Sequence, residues 1–166
     1  DVAWEKVIAA ARKEGKVTFY SVTYVGSTGQ TVADAFYAKY GIGLDLIGGR
    51  GSTHFERLRT EKRMGQMIGD IVQSNTPHLL NMKKTGYLER VADLPVLRDK
   101  TLWEVDPFTH DADGYVASYF GQWITPLVNA RLVPKGKEPK SLKDLLKPEW
   151  KGKILYMNPV VSTGAY

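Results

Sequence analysis

The residues with the clearest chemical potential lie between Gly48 and Thr53, where a glycine-rich turn follows a short apolar run. Leu44–Ile47 has the length of a buried strand, and the turn can adopt backbone angles that other residues cannot. Ser52 or Thr53 is predicted to cap a helix there. Unpaired N–H groups at a helix start favour negative charge, and Arg50 adds a fork of donors for carboxylate or phosphate. The stretch therefore predicts an anion site; a tight strand-to-helix connection with a solvated arginine is the alternative.

The same layout recurs along the first half of the chain. The β-prone runs Val17–Val22 and Gly69–Ser74 each precede a polar loop and a helix, and helical patterns also cover Val2–Glu14 and Val32–Tyr40. Strands that alternate with helices predict an α/β fold whose mostly parallel sheet binds ligand outside the carboxyl ends of its strands. The candidate ligand-binding residues of this half are therefore Ser21, Thr23, Tyr24, Arg50, Gly51, Ser52, Thr53, Ser74 and Asn75.

The second half offers one more candidate group. Tyr115–Ile124 is a long β-prone run, Ser141–Leu146 is a short helix with a serine cap, and Lys153–Met157 is predicted to be a strand. In the closing stretch, Ser162, Thr163 and Gly164 repeat the combination of hydroxyls and amides at a helix start. These three residues are therefore candidate ligand-binding residues as well.

Composition excludes several kinds of function. No apolar run has the roughly 18–20 residues of a membrane span, and the absence of cysteine excludes thiolate chemistry. The net charge of +5 is scattered, so nucleic-acid binding is disfavoured. His54, His78 and His110 lack the spacing of metal ligands and are predicted to have surface or capping roles.

No pattern in the chain places a nucleophile beside a base, so we expect no catalytic residues, no cofactor and no metal site built from protein side chains alone. Two classes of function remain on the residues. One is the reversible binding of an anion without turnover; the other is an α/β transferase-type enzyme that acts on a phosphorylated small molecule.

Several segments together carry a resemblance to a known family: GKVTFYS, VADAFYAKYGI, GGRGSTHFERLRTE, GDIVQS, LKDLLKPEWKGKI and NPVVSTGAY. The chain resembles the N-terminal half of a bacterial extracellular solute-binding protein of an ABC importer, in the group that takes ferric iron, thiamine, phosphonates and sugar phosphates. The resemblance implies the two-lobe periplasmic-binding-protein fold of type II, with the second lobe incomplete. Residues 1–117 would form lobe one, 118–126 a hinge crossing, and 127–166 the start of lobe two.

The resemblance also implies a function. Such a protein captures a small, anionic solute, or a ferric ion assisted by an anion, in the cleft between its lobes and delivers it to a membrane permease. It would be a monomer when complete, located in the periplasm or tethered by lipid outside a Gram-positive cell. Iron-binding relatives use a histidine in the first loop and a carboxylate after the third strand. Here Tyr24 and Ser74-Asn75 occupy those places, so a bare ferric site is not expected.

Overall fold

The computed structural model describes residues 2–121 and 126–156, and the chain divides into two compact units, Asp1–Tyr119 and Phe120–Tyr166. The first unit alternates helices and strands, as predicted. Its elements are α1 (Val2–Glu14), β1 (Lys16–Ser21), α2 (Gly26–Tyr40), β2 (Gly43–Gly48), α3 (Gly51–Met64), β3 (Ile71–Gln73), α4 (Thr76–Lys84) and α5 (Pro95–Arg98), followed by a 3₁₀ turn at Lys100–Leu102.

The three strands form one parallel sheet in the order β2-β1-β3. The central strand β1 pairs with β2 along its whole length, and its last three residues pair with β3, so that Ser21 lies opposite both Gly48 and Gln73. Because parallel strands end on the same side, these three residues and the loops that follow them form one edge, here called the strand-end edge. The α/β class with a parallel sheet is thereby confirmed.

Helices cover both faces of the sheet. Tyr20 is fully buried and packs with Leu58 of α3 and Met82 of α4, with partly buried apolar side chains around them. On the other face, α2 approaches β2 closely enough that a Cβ on Gly29 would lie 3.9 Å from Leu46 Cδ1. Burial of these apolar side chains, worth about 25 cal/mol per Å² of apolar area, fixes the layers.

A buried carboxylate ties α3 to the loop that enters β3. Glu61 is 5% exposed, and its Oε1 accepts a hydrogen bond from the Tyr20 hydroxyl. Its Oε2 accepts from the backbone N–H groups of Ile68 (3.0 Å) and Gly69 (3.2 Å). Burial opposes ionisation of Glu61, but these three donors and the charge of Arg57 outweigh it and hold the pKa below its ordinary value.

Two helix starts differ from the sequence prediction. Helix α2 begins at Gly26 rather than Val32, because its first two turns are polar and largely exposed and so carry no apolar periodicity. The N-cap of α3 is Arg50, without a side-chain cap bond, so the prediction of Ser52 or Thr53 as the cap is wrong. The helix already begins at Gly51, which places both hydroxyl residues inside its first turn.

The second unit contains two 3₁₀ turns among its described residues, Leu142–Leu146 and Pro148–Trp150. The predicted serine cap is confirmed: Ser141 Oγ accepts from the backbone N–H of Asp144 at 3.3 Å, and Asp144 Oδ2 accepts from the backbone N–H of Ser141 at 3.0 Å. This reciprocal pair satisfies two donors at the start of the turn.

The predicted strand Lys153–Met157 is wrong over its described residues, 153–156, and the β-prone run that begins at Tyr115 forms no strand over residues 115–121. The backbone N–H groups of Tyr115 and Val116 donate to Asp111, and that of Ser118 donates to Pro107, so they are not available to a neighbouring strand. β-prone composition alone does not make a strand without a partner. None of the described helices is both long and apolar enough to cross a membrane.

Candidate functional site

The start of α3 presents donors that the described part of the chain leaves unused. The first intrahelical bond runs from the His54 N–H to the Arg50 carbonyl (3.0 Å), so the N–H groups of Gly51–Thr53 have no acceptor among the described residues. The Arg50, Ser52 and Thr53 side chains are exposed, and the Arg50 guanidinium forms no ion pair there. A helix start of this kind attracts negative charge.

The absence of a side chain at Gly51 brings the start of α3 against the start of α4. A Cβ at this position would collide with Ser74 Oγ and His78 Nδ1, which are themselves 3.4 Å apart. The predicted Gly51 and Ser74 therefore lie side by side at the strand-end edge. Asn75, predicted beside them, is the N-cap of α4 and makes no side-chain cap bond.

Helix α2 starts at the same edge. Its N-cap is Val25, whose apolar side chain makes no cap bond and packs so closely on Gly48 that a Cβ there would be 2.6 Å from Val25 Cγ1. Three helices thus begin at the strand-end edge without a side-chain cap, and each presents the positive end of its dipole.

Gln73 organises the loop that follows β1. It is 7% exposed, and its Oε1 accepts from Ser21 Oγ (2.8 Å) and from the backbone N–H groups of Val22 (3.0 Å) and Thr23 (3.2 Å). Its Nε2 donates to Thr23 Oγ1 at 2.7 Å. Gln73 was not among the predicted site residues; its signal in the sequence is that of a single polar residue that ends an apolar strand.

The predicted residues of the first loop have different surroundings. Ser21 is fully buried, and besides its bond to Gln73 its Oγ accepts from the N–H groups of Thr23 (3.1 Å) and Tyr24 (2.8 Å). Ser21 therefore shapes the loop, whereas Thr23 is exposed. Tyr24 is partly buried and hydrogen-bonds Tyr119; burial, followed by this bond, raises the pKa of Tyr119 above its ordinary value.

His54 is buried, so the predicted surface or capping role is wrong for this residue. Its ring stacks on Tyr20 (centroids 5.5 Å apart), and its Nε2 lies 3.1 Å from the Ser21 carbonyl, which also accepts from the Gly49 N–H. His54, Leu58 and Glu61 share the inward face of α3, as their helical spacing requires. His54 Nδ1 has no hydrogen-bond partner within the described chain.

The remaining predicted site residues, Ser162, Thr163 and Gly164, lie outside the described residues. Across residues 2–121 and 126–156, no group of three or more His, Asp or Glu side chains is placed to hold a metal ion. Within the described part of the first unit, the strand-end edge therefore carries amide and hydroxyl donors, the His78 imidazole and one arginine, Arg50, that forms no ion pair. Within 21–24, 50–53 and 73–75 the sequence contains no acidic residue.

Comparison with known proteins identifies the family. Residues 68–165, more than half of the chain, match the family model described as bacterial extracellular solute-binding protein, so the chain belongs to that family. The membership confirms the predicted class, a solute-binding protein rather than an enzyme, and a periplasmic or extracellular location.

A solved structure from Trichodesmium, described as IdiA (FutA) in complex with iron and citrate ligands, is 26% identical to the chain with a TM-score of 0.41. The match covers 46% of the present chain and 24% of that protein. The chain thus spans about a quarter of the length of this relative. No curated protein matches the sequence of this chain.

Proposed function

We propose that the protein is the substrate-binding component of an ABC importer, which captures a small anionic solute and delivers it to a permease in the membrane. Family membership supports the binding role. The anionic character of the solute is inferred from the start of α3, where Arg50 and three unused backbone N–H groups lie together. This observation carries the proposal.

The electrostatics of the strand-end edge support an anion over a cation or a neutral solute. Three uncapped helix starts and the Arg50 guanidinium place positive potential there, and no residue of the edge loops is acidic. Hydroxyl and amide groups that donate hydrogen bonds suit the reversible capture of an anion. Thr23, Tyr24, Ser52, Thr53, Ser74 and Asn75 complete the proposed contact set, with Ser21 holding the loop behind them.

On the sequence pattern alone, we include Ser162, Thr163 and Gly164 as a second group of donors for the same anion. A ferric ion, as the alternative cargo, would have to share its coordination with the captured anion, because the described residues offer no metal cluster of their own. We further propose a monomer that functions in the periplasm, or on a lipid tether in an organism without one.

Two measurements on the full-length protein test the proposal. Native mass spectrometry identifies the solute that co-purifies with it. Calorimetry with that solute then compares the wild-type protein with Arg50→Ala. We expect a loss of roughly ten- to a hundredfold in affinity, equivalent to about 1.5–3 kcal/mol, because the anion loses a charge-assisted partner.

The matched control is Arg63→Ala, which removes an exposed arginine in the last turn of the same helix. It changes the net charge equally but lies at the opposite helix end, so its affinity should stay close to that of the wild type. An Arg50→Ala protein that binds as tightly as the wild type would remove Arg50 from the site. A neutral or cationic co-purified solute would overturn the anionic assignment.

A further inference from the structure

We infer that Gln73 fixes the hydroxyl of Thr23 as a hydrogen-bond donor towards the bound solute, and that the solute therefore presents an acceptor oxygen to Thr23. The inference rests on the proposed function for the presence of a solute at the strand-end edge. It adds that the Thr23 hydroxyl donates, rather than accepts, a hydrogen bond in the site, and that Gln73 is the residue that decides this.

The orientation of the Gln73 amide follows from its partners. The backbone N–H groups of Val22 and Thr23 can only donate, and both point at the same side-chain atom, at 3.0 and 3.2 Å. That atom must be an acceptor, which in a glutamine is the amide oxygen. The amide nitrogen is then the atom that faces Thr23 Oγ1 at 2.7 Å.

The direction of the Thr23 hydroxyl follows in turn. Gln73 Nε2 has only hydrogens to offer, so Thr23 Oγ1 accepts in this bond and its own proton must point elsewhere. No other described residue accepts that proton, and the Thr23 side chain is exposed at the strand-end edge. The proton is thus directed outwards, to water in the free protein and to the solute in the complex.

The other polar groups of the loop cannot take this role. The N–H groups of Val22, Thr23 and Tyr24 all donate to Gln73 or Ser21. Ser21 Oγ donates to Gln73 and is fully buried. Within the Val22–Thr23 stretch the Thr23 hydroxyl is therefore the hydrogen-bond donor that remains available to the solute. A carboxylate or phosphate oxygen satisfies it, whereas a solute group with only donors, such as an ammonium, leaves it unpaired.

Gln73→Glu is the variant that reverses this polarity. A carboxylate keeps the acceptor for Ser21 Oγ and the two N–H groups, and these donors favour its ionised form. It offers no hydrogen to Thr23, so the Thr23 hydroxyl donates inwards and turns a lone pair towards the solute. The loop stays in place while the donor is lost.

Neutron diffraction from crystals of the full-length, solute-free protein tests the orientation directly. We expect deuterium on Gln73 Nε2 in the bond to Thr23 and the Thr23 deuteron directed away from Gln73. A deuteron on Thr23 Oγ1 that points to Gln73 would overturn the inference, whether or not an anion binds.

Calorimetry with inorganic phosphate as the probe tests the contact, with circular dichroism to establish that each variant is folded. Thr23→Val should weaken binding roughly tenfold, and Thr23→Ser should restore it. In the Gln73→Glu background, Thr23→Val should cause no further loss, because the donor is already gone.

The outcomes separate this inference from the proposed function. If Arg50→Ala weakens phosphate binding and Thr23→Val does not, the anion site stands and the Thr23 contact is overturned. Equal losses from Thr23→Val in the wild-type and the Gln73→Glu backgrounds would show that Gln73 does not set the polarity. Failure of phosphate to bind the wild-type protein would overturn the solute contact, and the neutron map alone would then decide the direction of the Thr23 proton.

Discussion

Gln73 and Glu61 each hold a loop in place by accepting its backbone hydrogen bonds, on opposite faces of one sheet. Each accepts two successive N–H groups of a loop, Val22–Thr23 for Gln73 and Ile68–Gly69 for Glu61. Each also accepts a hydroxyl from the end of β1, where the donors are the neighbouring residues Ser21 and Tyr20. One network is built on a neutral amide and the other on a carboxylate.

The choice between a carboxylate and an amide follows from whether the network lies beside the proposed anion site. Glu61 has no donor of its own, and its charge is matched internally by its three donors and by the nearby Arg57. At the strand-end edge a buried negative charge would repel the anion that we propose to bind there. Gln73 provides the same acceptor without the charge, and its second polar atom turns Thr23 outwards.

The largest expected effect comes from removing the carboxylate. Glu61→Leu leaves the Tyr20 hydroxyl and the N–H groups of Ile68 and Gly69 without acceptors, and we expect the free energy of unfolding to fall by about 3 kcal/mol. Glu61→Gln keeps one acceptor and should cost about half as much. Urea unfolding measures both; equal stabilities of the Leu and Gln variants would contradict the role of the acceptor.

The pH dependence should distinguish the two networks next. Because the pKa of Glu61 is lower in the folded than in the unfolded chain, its stabilising contribution is complete above the unfolded value of about 4.3 and is lost as the pH falls through the folded value. We therefore expect a shallower loss of stability below pH ~4 in Glu61→Gln than in the wild type. Urea unfolding across this range measures it, and parallel curves would contradict the assignment. Gln73 does not ionise, so it contributes no such pH dependence to the stability.

The smallest expected effect is at the neutral network. Ser21→Ala removes the acceptor of the Tyr24 N–H, one of the two acceptors of the Thr23 N–H and one donor to Gln73, and should cost about 1 kcal/mol of unfolding free energy. Amide hydrogen exchange should quicken at Thr23 and Tyr24 and stay unchanged at Ile68 and Gly69. Faster exchange in both loops would show that the two networks are not independent.

The sequence predicted the elements whose signals are local. The parallel sheet and the strand-end edge followed from alternating strand and helix patterns, and the serine cap at Ser141 from its position before an apolar turn. Gln73 and Glu61 could not be found this way, because the hydroxyls that they accept, on Ser21 and Tyr20, lie 52 and 41 residues away in the chain. The β-prone run at Tyr115 forms no strand over its described residues for a related reason: Asp111 accepts hydrogen bonds from the N–H groups that a strand would have used.

The pairing of Ser21 with Gln73 has a consequence for how the sheet avoids misalignment. Side chains alternate between faces along a strand, so a slip of β3 by one residue against β1 would move Gln73 to the other face. A buried amide would then meet the apolar packing around Tyr20, and the loop N–H groups would lose their acceptor. With only three residues, β3 has few ladder bonds to resist such a slip. Gln73, the polar residue at the end of β3, thus fixes the register of β3 against β1, because a shifted register would be unfavourable in free energy.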